Sequence, residues 1–262
     1  MTRYVPVTSS DIAVAWGRAL DHLSRPGNVE VGPLIVNISG FSGGFPSEDV
    51  FVRGEVDLAL SNATSTKATL CSVETTANLI FPESLWKRHR NDGRKAFFNR
   101  YKKLLPRLQK RDTRNRKGTY FSRMIQYGES GQDQLAHVLE TWADGNHRRS
   151  ALQVMVFNPS VDHTRQPFLG FPCLDYVTFT PDTHEGTLSV TALYAEQYIF
   201  DRGYGNYLGL CRLARFVAGE MKLRFNQLTC VASCAKLGDA IGKREAKAFV
   251  KRIHAAITPE GA

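Results

Sequence analysis

Nowhere does this chain hold the roughly 18 consecutive apolar residues that a membrane-crossing helix needs. Its opening, Met1-Thr2-Arg3-Tyr4-Val5-Pro6, lacks the apolar core of a secretory signal. The expectation is a cytoplasmic protein with no membrane partner. Paired cysteines are missing too. The five present, Cys71, Cys173, Cys211, Cys230 and Cys234, are odd in number and show no CxxC spacing, which argues against a disulfide framework and a zinc site alike. Cys230 and Cys234 stand four apart, but no His or further Cys lies close by to complete a metal site. The sequence has no internal repeat and no low-complexity segment. At 42% hydrophobic and 10% aromatic residues, the composition is globular rather than disordered. A chain of 262 residues can bury a full core, and it is read as one domain over 1–262.

One stretch is almost without carboxylates. Between Lys87 and Lys117, fourteen Lys or Arg stand against Asp92 and Asp112, so the rest of a chain of net charge +9 is slightly acidic. Phe97, Phe98, Tyr101, Leu104 and Leu105 recur there at helical spacing. Segment 87–117 therefore reads as a basic helical insertion. Either its aromatic stripe packs inward while the cations are solvated, or it is an electrostatic platform for nucleic acid, a nucleotide or a polyanionic tail. Arg111 to Gly118 reads as a mobile loop.

The other elements follow in chain order. Ser9-Ser10-Asp11 caps an amphipathic helix over 9–23, which Ser24-Arg25-Pro26-Gly27-Asn28 ends. Val29 to Ile38 is rich in β-branched residues, and Pro33 would confine that strand to an edge or a bulge. A second strand is expected over Val50 to Leu60. Residues 68–81 read as a helix with Leu70, Val73, Ala77 and Ile80 on one face and Glu74 beside it, stopped by Pro82. A Glu so placed is commonly exposed or ion-paired; a catalytic role is the sharper reading. Asp133 to Trp142 is a short helix closed by Asp144-Gly145-Asn146. Leu174 to Thr180 and Leu188 to Phe200 alternate as strands of one sheet. Asn206 to Leu223 is a mostly buried helix, Gln227 to Ala235 a last strand and Lys243 to Ile257 a closing helix.

Residues 148–206 form the stretch around which the chain is organised. The doublet Arg148 and Arg149 precedes the strand-like Ala151 to Phe157, and then come Asn158-Pro159, Phe171-Pro172-Cys173-Leu174 and Asn206. Paired guanidiniums suit a phosphate, and a thiol can attack an electron-poor ring.

These landmarks in this order resemble the thymidylate synthase family: Gly118 and Tyr120 as Gly-x-Tyr, Asp133-Gln134-Leu135, the doublet, Asn158, Pro172-Cys173, Leu193-Tyr194 in a strand, and Asn206 heading an apolar helix. The resemblance covers roughly residues 70–237. It implies an α+β fold with a large mixed sheet packed by a long central helix, and a homodimer through the sheet face. It also implies that Cys173 adds to C6 of a pyrimidine ring, that Glu74 manages proton transfers, and that Tyr120 is the active-site tyrosine. Asn206 would read the O4 and N3 edge, and Arg148 and Arg149 would reach the partner subunit's substrate phosphate. The implied co-reactant is 5,10-methylene-tetrahydrofolate. Nearby guanidiniums are expected to lower the thiol pKa.

The sequence also departs from the family pattern. Leu174 stands where His usually follows the cysteine, no Arg lies within Tyr194 to Gln197, and Arg202 is the candidate substitute for phosphate binding. Lys236 and Gly238 fall where a sugar-binding His and Tyr are expected. The leading expectation is therefore a methyl- or hydroxymethyltransferase acting at C5 of a pyrimidine nucleotide other than dUMP. One alternative is a diverged member that binds a nucleotide or nucleic acid without catalysis. Another is an unrelated α/β enzyme with a core cysteine.

Overall fold

The computed structural model describes residues 2–28, 30–63, 70–163, 165 and 173–258, without the side chains of residues 2–4. Val29, the first two residues of the helix expected over 68–81, and the Phe171-Pro172 pair lie outside the described residues. In chain order the elements are β1 (Thr2–Ser9), α1 (Ile12–Ser24), β2 (Glu30–Ser39), α2 (Val50–Asn62), α3 (Val73–Ile80), α4 (Glu83–His89), α5 (Gly93–Arg111) and α6 (Tyr120–Ile125). They continue with α7 (Gln134–Ala143), β3 (Gln153–Met155), α8 (Pro159–Asp162), β4 (Leu174–Asp182), β5 (Thr187–Tyr198), α9 (Tyr204–Glu220), β6 (Arg224–Lys236) and α10 (Lys243–Ile257).

The strands form a six-stranded mixed sheet of order β1-β2-β6-β5-β4-β3. β1 runs parallel to β2 and β5 parallel to β6, while the other neighbours are antiparallel. One face is apolar and buried, with Leu34, Val36 and Ile38 beside Leu228, Cys230 and Ala232, then Val190, Ala192 and Tyr194. α9 covers that face with Leu208, Leu210, Leu213, Ala214 and Val217. α1 packs beside it, capped by Asp11, whose carboxylate accepts the N–H groups of Ala13 and Val14. Such a cap contributes about 1 kcal/mol. Trp16 of α1 donates to the Ile199 carbonyl at 2.7 Å, which ties α1 to the end of β5.

The opposite face shows a pattern that runs across every strand. Register aligns Pro6, Ile35, Val231, Leu193, Tyr176 and Met155 in one row, all half-buried or exposed. The next row is Thr8, Asn37, Thr229, Thr191, Thr178 and Gln153. An apolar band beside a hydroxyl and amide band thus crosses the open face. The Asn37 Oδ1 within it is buried and finds no partner among the described residues.

Two expectations are corrected. Residues 50–60 are helix, not strand: Asp49 caps the Val52 N–H, and the buried Val52, Val56 and Leu60 recur every four residues. Pro33 is not on an edge strand, because β2 lies between β1 and β6; instead its ladder pairs are missing on both sides without a register shift. Leu70 lies outside α3, whose cap is Ser72. Residues 113–115 form a short 3-10 turn closed on Asp112.

The aromatic stripe of α5 packs inward. Phe97, Phe98 and Tyr101 are buried, and Phe97 sits against Phe81, Trp86, Phe121 and Phe216. Among the described residues, no helix is long and apolar enough to cross a membrane.

Candidate active site

A cavity of about 1350 Å³ opens where α3, the ends of α4 and α5, α6, the start of β4, the end of β5 and the start of α9 meet. Cys173, Tyr120, Asn206 and Arg202 all line it. Local sequence explains how each is aimed.

Tyr120 opens α6 behind a capping box in which the Thr119 hydroxyl accepts the Ser122 N–H and the Ser122 hydroxyl accepts the Thr119 N–H. Thr119 is also held by the Tyr101 hydroxyl at 2.7 Å, so the buried stripe of α5 fixes this corner. Gly118 has φ +95°, and a Cβ there would come within 2.7 Å of the Ser122 hydroxyl. Burial pushes the Tyr120 hydroxyl well above its ordinary range, while backbone hydrogen bonds from Cys173 and Leu174 pull the other way.

Arg202 belongs to a π-helical turn, Ile199–Gly203, that joins β5 to α9. Such turns insert a residue into the helical spiral and are common at functional sites. This one places Asp201 and Arg202 on the cavity wall. Asp201 accepts the N–H groups of Asp239 and Ala240, and burial raises its carboxyl pKa. Gly238 lies so close that a Cβ would meet the Asp201 carboxylate at 2.4 Å.

Asn206 sits in the first turn of α9, 4% exposed. Two glycines press that turn onto α3. A Cβ at Gly205 would stand 2.5 Å from the Thr76 side chain, and one at Gly209 would stand 2.7 Å from the Ala77 carbonyl. Among the described residues the Asn206 carboxamide has no hydrogen-bond partner, although it lines the cavity. Its amide atoms remain accessible from the cavity, so a ligand with matching donors and acceptors could bond to them.

Cys173 is half-buried, and its carbonyl accepts the Ala195 N–H at 3.0 Å, which seats the thiol beside β5. Its environment reverses the expectation of a lowered pKa. Burial, then Glu196 and Asp175, push the thiol up to about 11, and only Arg202 opposes them. Glu196 stands in the stretch where the resemblance wants an arginine, and it lines the cavity. Behind the thiol, Tyr207 donates to Gln197 at 3.2 Å, and the Tyr194 hydroxyl is buried without a partner among the described residues.

Two expected elements lie elsewhere. Glu74 is not on the cavity wall; Arg212 of α9 binds it through two hydrogen bonds and lowers its carboxyl pKa. Arg148 and Arg149 are exposed, in the turn between α7 and β3, and do not line the cavity of their own chain. Conversely, Glu196, Asp201, Arg88 and Arg111 line it and were not singled out by sequence. Their only sequence signal is position: Arg88 and Arg111 end the helices of the basic segment, and Glu196 flanks the Leu193-Tyr194 strand.

Fold and cavity together define an α+β protein that presents a thiol, a carboxamide and a guanidinium in one cleft. No protein-family model matches the chain, and no curated protein matches it.

Proposed function

We propose that this chain transfers a methyl or hydroxymethyl group to C5 of a pyrimidine nucleotide other than dUMP, in the cytoplasm. The observation that carries this reading is the unpartnered Asn206 carboxamide, on a residue only 4% exposed, opening on the same cavity as Cys173. A carboxamide offers one donor edge and one acceptor edge, matching the N3 and C4 substituents of either cytosine or uracil.

In this reading Cys173 Sγ bonds to C6, the C5–C6 π pair shifts onto C5 and the C4 substituent, and the thiol proton passes to a cavity carboxylate. Glu196 is the carboxylate that most strongly affects the thiol, so it takes the proton-handling role that the resemblance gives to Glu74. C5 would then bond to the one-carbon unit and give up its proton, and the C–N bond to the tetrahydrofolate would break to leave an exocyclic methylene on the ring. Addition of water (hydroxymethyl) or of a hydride from the tetrahydrofolate (methyl), with breaking of the S–C6 bond, would restore the ring. The apolar wall of Leu79, Leu85, Leu104 and Leu108 fits a flat co-reactant ring beside the pyrimidine. When bound there, 5,10-methylene-tetrahydrofolate would supply the one-carbon unit. A second copy of the chain would cover the open sheet face, with Arg148 and Arg149 free to reach its substrate.

A second reading has a specific observation behind it. A thiol held near 11, with Glu74 engaged elsewhere, also suits a catalytically diverged protein that binds a nucleotide or nucleic acid. Tritium release from C5-labelled uridine and cytidine monophosphates, ribo and deoxy, with and without methylene-tetrahydrofolate, separates the two. Release that vanishes in Cys173→Ala supports the transferase. Nucleotide binding without release, unchanged in Cys173→Ala, supports the binding protein.

A further inference from the structure

The basic segment is one wall of the Cys173 cavity. Arg88 in the last turn of α4 and Arg111 in the last turn of α5 both line it, together with Leu104 and Leu108 from the inner side of α5. Neither arginine has an ion pair or hydrogen bond among the described residues. Arg202, closer to the thiol, reaches only the Thr76 hydroxyl at 3.5 Å. Carboxylates also face the cavity. Asp112 is taken by Arg114, Glu196 by Lys236 and Asp201 by two backbone N–H groups, so among the described residues the carboxylate of the exposed Asp239 is the one on the cavity wall without a partner. Three guanidiniums thus face one cleft without a carboxylate bound to any of them.

One phosphate monoester beside Arg202 would leave Arg88 and Arg111 unused. We infer that the cavity seats a nucleoside di- or triphosphate, with Arg202 on the phosphate nearest the sugar and Arg88 and Arg111 on the distal ones. The inference rests on the nucleotide reading above and adds the length of the phosphate chain to it. Charge-assisted, two-pronged contacts are the strong ones for phosphate, which is why arginine rather than lysine suits these positions.

The test is calorimetric titration of the full chain, in magnesium-free buffer, with CMP, CDP, CTP, UMP, UDP, UTP and inorganic tripolyphosphate. Wild type should bind the triphosphate of the preferred base on the order of ten- to hundredfold more tightly than its monophosphate. Arg88→Ala with Arg111→Ala should erase that gradient while leaving monophosphate affinity within about twofold, and the double Lys variant should keep part of it. Lys103→Ala, exposed and off the cavity wall, should keep all of it. Equal affinities along the series would overturn the polyphosphate seat while leaving the nucleotide reading intact. So would a gradient that survives the double Ala variant. The two arginines could instead serve only to complement the helix dipoles at these C-termini. In that case the double variant would lose thermal stability with its gradient unchanged, which also overturns the seat. Tripolyphosphate binding with no nucleotide binding would overturn the nucleotide reading itself.

Discussion

Arg212 holds Glu74 with both arms of its guanidinium, Nη1 to Oε1 at 2.6 Å and Nη2 to Oε2 at 2.9 Å. The pair joins α3 to α9 on the outer side of the contact that Gly205 and Gly209 make inside. Glu74 remains 48% exposed, so water screens the attraction and the pair is worth about 1 kcal/mol or less. Glu74→Gln is therefore expected to lower unfolding stability by no more than that and to leave nucleotide affinity unchanged. Denaturant titration and calorimetry measure both. A folded Glu74→Gln protein that loses C5 tritium release would show the carboxylate acting on the substrate, contrary to this placement.

Acid should weaken the fold through three carboxylates held below their ordinary range, Glu74, Asp162 and, through its hydrogen bond from Arg114, Asp112. Hydrogen bonding to Arg212 holds Glu74 below its ordinary range. Burial raises Asp162, but Arg123, at 2.5 and 2.9 Å, and the Asn158 N–H outweigh that and leave it lowered. Groups with lowered folded pKa values stabilise above their unfolded pKa, and that contribution disappears as the pH falls through the folded value. Burial raises Asp175 to about 6 and raises Asp201 as well, which works the other way as the pH falls toward the usual carboxylate range, so the loss from the lowered groups should dominate only below that range. Asp162→Asn should flatten this fall and destabilise at neutral pH by about 3–5 kcal/mol, because it leaves Arg123 buried and unpaired. A full-sized acid slope in that variant would assign the effect to other groups.

Four of the residues to which the sequence points, Cys173, Tyr120, Asn206 and Arg202, line one cavity, and the expectations that fail share a cause. Asn206, Tyr120 and Cys173 could be placed because each begins a regular element or neighbours one, so a local pattern fixes its direction. α1, α7, α9 and the β4–β5 hairpin were legible for the same reason. α2 falls where a strand was expected; burial of Val52, Val56 and Leu60 against the core decides for helix. The direction of the Glu74 side chain depends on Arg212, 138 residues away in sequence, and no local pattern carries that information. The charge around Cys173 runs opposite to the sequence expectation for a similar reason. The doublet lies outside its chain's own cavity, and Glu196 stands on the neighbouring strand.

Cys173 should behave as a sluggish nucleophile in the free protein. With a pKa of about 11, the thiolate is about one part in ten thousand at pH 7. Iodoacetamide labelling, read residue by residue by mass spectrometry, should rise about tenfold per pH unit through pH 8 to 10. Glu196→Gln removes a negative neighbour and should move the profile to lower pH, and Arg202→Leu should move it higher. Equal labelling at pH 7 and pH 9 would mean the thiol is already ionised.

Gly205 and Gly209 give a direct test of how α3 and α9 position the site. A methyl group at Gly205 would clash with Thr76 and with the Val73 carbonyl at 2.8 Å, and neither contact can relax without moving backbone. Gly205→Ala should cost about 1–3 kcal/mol and displace Asn206, weakening nucleotide binding more than Gly54→Ala, where a Cβ meets nothing within 4 Å. Equal melting temperatures and affinities for the two variants would contradict the close contact of these helices.

The open sheet face makes the last prediction. Its apolar row, Pro6, Ile35, Val231, Leu193, Tyr176 and Met155, spans all six strands, which is more contiguous apolar surface than scattered exposed residues give. A second copy placed face to face would cover it and could supply a partner for the orphaned Asn37 oxygen. Val231 is half-buried near the middle of the row, so if the proposed dimer forms through this face, Val231→Lys should leave the chain folded while shifting sedimentation toward monomer. The doublet extends the test to function. If Arg148 and Arg149 act across the interface, Cys173→Ala and the double Arg148→Ala, Arg149→Ala variants should each be inactive alone. Mixed and re-equilibrated, they should regain C5 release, because each heterodimer combines one intact thiol with one intact doublet. A wild-type chain that sediments as a monomer at every concentration would remove both the interface and any role for the doublet in trans.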